Sequence, residues 1–569
     1  MPRVVTRPVV PETTQALERA GLQPLLARLY AARGIATASD LEHELGALLP
    51  IDALLNAQAM AEILADAIGD GRRLLIVADY DADGATGCAV GVRALRAFGA
   101  AVDYLVPNRF DFGYGLTPEI VRRASERKPD FILTVDNGIS SVEGIAEAKR
   151  LGIPVLVTDH HLPGDELPDA LCIVNPNQVG CGFPSKSIAG VGVMFYVMLA
   201  LRAELRRRGV FVSTREPNLA HLLDLVALGT VADVVKLDRN NRVLVQHGLR
   251  RIRAGKASAL VDALLRAAGR DPLRASTYDL GFVAGPRLNA AGRLEDMALG
   301  IDGLTTDDPT RAASIARRLD ALNRERREIE ADMQTAALEA LEQVRPGDSY
   351  SLALFDHEWH QGVIGILASR LKDRFHRPVV TFARGQNGEL KGSGRSIRGL
   401  HLRDALDLVS KRHPGLILRF GGHAAAAGLS IEEARVEEFA SAFEATVQSL
   451  LTPADLEQVI ETDGSLAPED ATLELAAHLD QETWGQGFPP PLFADAFGVI
   501  DQRIVGGRHL KLRLARGSRR FDAILFGRAD LLPTDIQAVY RLTVNEFNGA
   551  RALQLNVEHW EPLTTPAWT

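Results

Sequence analysis

Residues 74–84 read Leu-Leu-Ile-Val-Ala-Asp-Tyr-Asp-Ala-Asp-Gly: five apolar residues, Leu74–Ala78, that break into the acidic turn Asp79-Tyr80-Asp81-Ala82-Asp83-Gly84. A short apolar run closed by a turn reads as a buried strand. Helical spacing follows over Thr86–Phe98, where Val90, Ala94, Leu95 and Phe98 recur at steps of three and four. Outward from this unit the alternation repeats. Ala101–Val106, Phe131–Val135 and Pro154–Thr158 read as further strands. Thr117-Pro118-Glu119 is a helix start, with a capping hydroxyl, a proline at the first helical position and an acid in the first turn. Strands alternating with helices predict an α/β domain built on a parallel, doubly wound sheet, whose ligands sit beyond the carboxyl ends of its strands.

Beyond this domain the texture changes twice. Ile188 to about Gly300 is helix-rich, and Asp308–Leu341 reads as one long connecting helix with no glycine or proline between Pro309 and Pro346. Ser351–Phe355, a helix around Val363–Leu371 and Val379–Ala383 predict a second small α/β domain, and from Val459 short alternating strands such as His509–Ala515 and Phe521–Phe526 predict an all-β, OB-like barrel. The expected division is an N-terminal helical segment (1–50), a catalytic domain (51–305), the connector (306–345), a substrate-binding domain (346–455) and a nucleic-acid-binding barrel (456–569).

The composition of the 569 residues suits a soluble globular protein, with 46% hydrophobic and 24% charged residues. The longest uncharged apolar run, Ile188–Leu201, has 14 residues, short of the roughly 20 that a spanning helix needs. The N-terminus lacks the apolar core of a secretion signal, so no membrane association is expected. Three cysteines without a CxxC pair point to the reducing cytoplasm and away from a thiolate zinc site. A net charge of −9 excludes indiscriminate coating of nucleic acid but allows a local basic groove.

Three of the predicted strands run directly into acidic or imidazole groups: Asp79, Asp81 and Asp83 after the first, Asp136-Asn137-Gly138 after Phe131–Val135, and Asp159-His160-His161 after Pro154–Thr158. An isolated Asp-x-Asp is usually a solvated turn. Neighbouring strand ends lie about 5 Å apart, so three such clusters converge on one patch. Carboxylates gathered so closely persist in ionised form only when cations neutralise them. Oxygen ligands joined by imidazole suit Mn²⁺ or Mg²⁺. Two such ions, roughly 3.5–4 Å apart, would activate water and clamp a phosphoryl group.

Asp159-His160-His161, with the acidic first motif and Asp136, resembles the DHH phosphoesterase superfamily. Further collinear strings resemble its RecJ-type single-stranded-DNA exonucleases: Pro107-Asn108-Arg109-Phe110, Gly113-Tyr114-Gly115-Leu116, Ala189–Val193, Asp224–Asp233, Gly285–Arg293, Gly392–Ser396 and Gly421-Gly422-His423. The resemblance implies that Asp79, Asp81 and Asp136 hold one divalent ion. It implies that Asp83, Asp136, His160 and Asp224 hold the other, with Asp233 as the alternative to Asp224, Asp136 as the bridge and His161 facing the scissile phosphate. It implies substrate contacts from Arg109 and Tyr114, from Arg287 and Asn289, from Gln361, Ser369 and Arg370, and from the glycine-rich turns carrying Ser393, Arg395, Gly421, Gly422 and His423.

The C-terminal strands carry Arg503, Arg508, His509, Lys511, Arg513, Arg516, Arg519 and Arg520 with Phe521, Phe526 and Phe547 nearby, a pattern that suits a barrel gripping single strands. The expected activity is two-metal, 5′→3′ removal of mononucleotides from single-stranded DNA in repair and recombination. The resemblance also implies a monomer acting beside single-strand-binding protein and a repair helicase. Two rival readings are a hydrolase of short oligonucleotides or cyclic dinucleotides and a non-catalytic scaffold. A separate basic barrel has no use in the first, and a complete acidic set argues against the second.

Overall fold

The computed structural model describes residues 2–107, 115–164, 166–211, 215–342, 349–385, 388–422, 425–547 and 549–563. They form two compact units: Val5–Asp320 together with Glu461–Thr569, and Ala321–Ile460 with the N-terminal residues to Val4.

In the first unit, helices α1 (Pro11–Arg19), α2 (Pro24–Ala31) and α3 (Ala57–Gly69) precede strand β1 (Arg73–Ala78) and helix α4 (Ala82–Ala97). The alternation continues through β2 (Ala101–Leu105), α5 (Pro118–Ser125), β3 (Phe131–Val135), α6 (Val142–Arg150), β4 (Val155–Thr158) and β5 (Cys172–Val174). The sheet order is β2-β1-β3-β4-β5, with every pair parallel. Leu74 to Ala78 are all buried, as expected of a strand covered on both faces. Leu75, Val77, Ile132, Val155 and Val157 pack on one face against Ile120, Val121, Ile145 and Ala148 of α5 and α6. The other face meets α4 and α7 (Gly190–Arg207). The apolar run Ile188–Leu201 is therefore a buried core helix, and among the described residues no single helix is long and apolar enough to cross a membrane.

Helices α8 (Leu223–Ala232), α9 (Arg239–Arg253) and α10 (Ala259–Ala267) complete the helical half of this unit. A π-helical turn (Asp279–Ala284) then leads into α11 (Gly285–Leu294), followed by α12 (Ala298–Thr305). The barrel belongs to the same unit. Its strands β11 (Phe493–Val505), β12 (His509–Arg516), β13 (Arg519–Leu525), β14 (Asp535–Phe547) and β15 (Ala550–Pro562) close in the order β11-β12-β13-β15-β14. The N-terminal helices and the segment leading to the barrel are joined by a buried fork–fork pair. Arg33 donates Nη1 and Nη2 to the two carboxylate oxygens of Asp463, each at 2.8 Å, and Tyr30, Trp484 and Phe488 stack beside it.

The predicted connector is one helix, α13 (Pro309–Glu342). In the second unit, strands β6 (Leu352–Phe355), β7 (Val379–Arg384), β8 (Glu389–Arg395), β9 (Arg419–Gly422) and β10 (Ala426–Glu432) form a mixed sheet in the order β9-β10-β8-β7-β6. Helix α14 (Ile364–Phe375) packs on β7 and β8.

Candidate metal centre

The pairing register decides which groups meet. Ala78 lies opposite Val135, and Val135 opposite Thr158, so Asp79, Asp136 and Asp159 stand side by side one residue later. Each amide continues the ladder: Asp79 donates to Val135 O, Asp136 to Thr158 O and Asp159 to Val174 O. Beyond that row the chains diverge. Asp81 caps α4, accepting from the Gly84 amide at 2.9 Å, and the first turn of α4 delivers Asp83. A Cβ on Gly84 would fall 2.5 Å from Asp79 O, so only glycine lets the helix start so close to the strand end.

Asp83 is fully buried and receives the first amides of α7, Gly190 N at 2.6 Å and Val191 N at 2.9 Å. This is the structural use of the Ala189–Val193 string. A side chain at Gly190 would strike the Asp136 carboxylate at 2.7 Å. From the opposite side, α8 ends on Asp233. His160 Nε2 then lies 3.0 Å from Asp136 Oδ1, 3.6 Å from Asp233 Oδ2 and 3.8 Å from Asp83 Oδ2.

His161 is oriented by its neighbour. Its Nδ1 is 2.8 Å from Asp159 Oδ1, and the same oxygen accepts the amides of His160 and His161. Burial would lower the His161 pKa, but the hydrogen bond and charge of Asp159, with Asp79 and Asp81 behind it, push it up to about 9. The opposite effect governs the carboxylates. Burial, then the Asp81 charge, pushes Asp83 up to about 7 against the two helix amides. Burial and the surrounding aspartates hold Asp136 and Asp233 well above the usual carboxylate range.

The donor set fits divalent cations. Three groups, Asp79–Asp81–Asp136, Asp83–His160–Asp233 and Asp136–His160–His161, each bring their ligand atoms within 4.8 Å of one another. Among the described residues, Asp136 Oδ1 and Asp233 Oδ2 are buried with no hydrogen-bond partner, which costs stability unless a cation meets them. Oxygen-rich donors with one imidazole match Mn²⁺ or Mg²⁺.

One expected ligand is not brought here. Asp224 sits in the first turn of α8, nine residues before Asp233 and so half a revolution away around the helix. Its carboxylate instead accepts the Ser258 amide at 2.6 Å and faces Arg251 Nε at 3.5 Å. Asp233 takes the place expected of Asp224. Its signal was present in the Asp224–Asp233 string, but which end faces the sheet depends on helix phase.

The expected substrate residues fall into distinct settings. Arg287 pairs with Asp320 at 2.9 Å and donates to Val283 O, so it braces the start of α13. Asn289 accepts the Ala82 amide at 2.7 Å, holding the end of the acidic turn in place. In the second unit Gln361 donates to Arg384 O at 2.5 Å, Arg370 pairs with Glu330 at 2.9 Å and Ser369 is half-buried on α14. Ser393 and Arg395 alternate along β8, with Arg395 Nη1 on Ser393 Oγ at 3.1 Å. Gly421 and Gly422 end β9, where the 138° φ of Gly422 and a close approach to Ala427 require glycine. Arg109, Tyr114 and His423 lie outside the described residues. The sequence places Asp159 in the converging patch without assigning it a role, and it gives no role to the α7 amides. Their roles depend on register and helix direction.

Comparison with known proteins identifies the family and the fold. Residues 73–230 match the DHH family N-terminal domain, 347–449 the DHHA1 domain and 462–559 the RecJ OB domain. The single-stranded-DNA-specific exonuclease RecJ of Escherichia coli (strain K12) is 51% identical over 558 residues, covering 96% of this chain and 97% of the relative. The Haemophilus influenzae protein of the same description is 47% identical, covering 95% and 96%. The crystal structure of RecJ in complex with Mn²⁺ from Thermus thermophilus superposes with a TM-score of 0.82 at 32% identity, covering 99% of this chain and 80% of that one. The Mg²⁺ complex of the Thermus protein gives 0.75 at 29% identity, covering 99% and 78%.

Proposed function

This chain belongs to the RecJ family of single-stranded-DNA-specific exonucleases within the DHH phosphoesterases, and from that membership we propose the following working of its site. The protein is a metal-dependent exonuclease that hydrolyses single-stranded DNA, 5′→3′, to mononucleotides. One ion would be held by Asp79, Asp81 and Asp136, and the other by Asp83, Asp136, His160 and Asp233. The observation that carries this assignment is the pair of buried, unsatisfied oxygens, Asp136 Oδ1 and Asp233 Oδ2, aimed at His160 Nε2.

Bound Mn²⁺ or Mg²⁺ supplies an activated water and neutralises charge on the phosphoryl oxygens. The remaining work belongs to the chain. The Gly190 and Val191 amides fix both oxygens of Asp83, and the ladder amides fix the backbone of Asp79 and Asp136. Asp159 holds His161 by Nδ1, which leaves Nε2 to face a non-bridging phosphate oxygen. Asn289 keeps the Ala82 peptide, and with it the Asp81–Asp83 turn, in place. The barrel strands, with Lys511, Arg513 and Arg520, grip the strand away from the site. The protein works as a cytoplasmic monomer alongside single-strand-binding protein and a repair helicase.

The test uses single strands labelled at either end, incubated with Mn²⁺, with Asp136→Asn as control. Release of 5′-terminal mononucleotide first is expected. First appearance of 3′-terminal product, or turnover that survives the substitution, overturns the assignment.

A further inference from the structure

Tyr278 and Phe282 are large aromatic side chains left 56% and 72% exposed. Tyr278 caps the π-helical turn and Phe282 lies four residues on within it, so they share one face. Their rings stack on each other with centroids 5.1 Å apart and planes inclined by 25°. The Arg270 guanidinium lies 5.8 Å from the Tyr278 ring and is held there by Asp279 at 3.3 Å. The residues between the two rings face inward: Leu280 is fully buried and Gly281 packs on α8.

The location gives the pair a meaning. A Cβ on Gly281 would meet Val231 at 3.1 Å, and one on Gly285 would meet Ala232 at 3.0 Å. The turn therefore lies on the last turn of α8, which ends at Asp233 in the candidate metal centre. Val234, the next residue, is 64% exposed in a left-handed conformation (φ 61°). On the far side Arg274 is ion-paired to Glu546 of barrel strand β14, within the same compact unit. The segment that carries the aromatic pair thus packs on the helix that ends at the candidate metal centre and, through Arg274, reaches the barrel.

We propose that Tyr278 and Phe282 form a stacking platform for the bases of single-stranded DNA a few nucleotides from the scissile phosphate. Every base presents a π-face, so stacking holds the strand without reading its sequence. Arg270, fixed by Asp279, stands beside the Tyr278 ring, where the sugar–phosphate backbone would pass. A protein segment is the competing occupant. DNA is favoured because the turn packs on the helix that ends in the proposed phosphodiester-cleaving site, and its neighbour Arg274 reaches the barrel proposed to grip the strand. This inference rests on the exonuclease reading above and adds a substrate contact to it.

The test measures binding of dT oligonucleotides of 2 to 20 residues to the full-length protein in EDTA, where no cleavage occurs. In the wild type, affinity rises with length. In Tyr278→Ala/Phe282→Ala that gain is expected to shrink about tenfold or more, as loss of one or two stacked bases requires. Phe282→Trp is expected to retain the gain, and its indole fluorescence to be quenched by dT strands longer than the dinucleotide. An unchanged length dependence in the double alanine variant, with a Tm within about 2 °C of wild type, overturns the proposal and assigns the patch to a protein partner. An absence of quenching in Phe282→Trp overturns it independently. Failure of the wild type to degrade single strands with Mn²⁺ would instead sink the exonuclease reading, so the two failures are distinguishable.

Discussion

Asp136 places Oδ1 3.0 Å from His160 Nε2 while its own backbone is left-handed, at φ 62°. A non-glycine residue in that region is strained, and aspartate and asparagine tolerate it best. The conformation turns the carboxylate out of the strand direction towards the gathered aspartates, which hold its pKa well above the usual range after burial itself. Metal-free protein therefore stores repulsion that a cation relieves. Asp136→Asn keeps the backbone and removes one charge. It should raise the Tm of EDTA-treated protein, abolish most of the Tm gain that Mn²⁺ gives the wild type, and lower turnover by at least about a thousandfold. Calorimetry with and without metal, beside single-turnover assays, checks all three. A metal-induced Tm rise equal to that of wild type would refute the bridging role.

Asp224 and Asp233 share one helix and should behave oppositely. Asp233→Asn removes a buried oxygen that faces His160 at 3.6 Å, so turnover should fall at least about a hundredfold while stability without metal holds or rises. Asp224→Asn leaves Arg251 and the Ser258 amide short of a carboxylate partner. It should cost roughly 1–3 kcal/mol of stability and leave kcat within a few-fold of wild type. Urea denaturation and steady-state kinetics of both variants decide; the reverse pattern would restore Asp224 as the ligand.

These two residues also show where sequence reading stops. The strand-end rule placed Asp79, Asp136 and Asp159 correctly because a parallel sheet with short strands leaves little choice of register. Choosing between Asp224 and Asp233 needed the rotational phase of α8, and Leu223–Ala232, apolar apart from Asp224 and Thr230 and buried over most of its length, offers no solvated face from which to read it. The glycine strings were visible as motifs, but their purpose was not. Gly190 matters because α7 points its first amides at Asp83, a relation between elements more than a hundred residues apart. The barrel was legible as alternating strands. Its attachment to the N-terminal helices was not, since Arg33 and Asp463 carry no local signature.

His43 gives the pH dependence of stability a defined sign. Burial first, then the nearby Arg242 and Arg250 charges and His247, lowers its pKa from 6.5 to about 4, and its buried Nδ1 has no hydrogen-bond partner among the described residues. The unfolded chain therefore binds a proton that the folded chain refuses, and stability is lost as pH falls from about 6.5 towards about 4. With partial solvent screening the loss is of order 1–2 kcal/mol. His43→Gln should flatten this part of the curve. Between pH 7 and pH 4.5 the difference in unfolding free energy should shift in favour of the variant on acidification. A constant difference across that range would refute the assignment.

The Arg33–Asp463 pair carries the last prediction. Both side chains are almost completely buried, at 1% and 2% exposure. Arg33 also donates to Leu29 O and Pro489 O, each at 2.6 Å, and lies 5.2 Å from the Trp484 ring. Asp463 receives the Leu492 amide at 2.9 Å at the entrance to β11. Removing one partner strands a buried charge, at a cost of about 3–5 kcal/mol. Asp463→Ala should therefore lower the Tm by several degrees, and Arg33→Met, which keeps apolar bulk but leaves the carboxylate only the more distant Arg7 guanidinium at 3.8 Å, should do the same. The paired variant Arg33→Met/Asp463→Leu should recover much of the loss, because two apolar groups of similar volume replace the buried pair while Arg7 keeps Glu461 as its partner at 3.5 Å. Additive losses in that double variant would show that the two residues act independently, and the pair would then not be what fastens the barrel segment to the N-terminal helices.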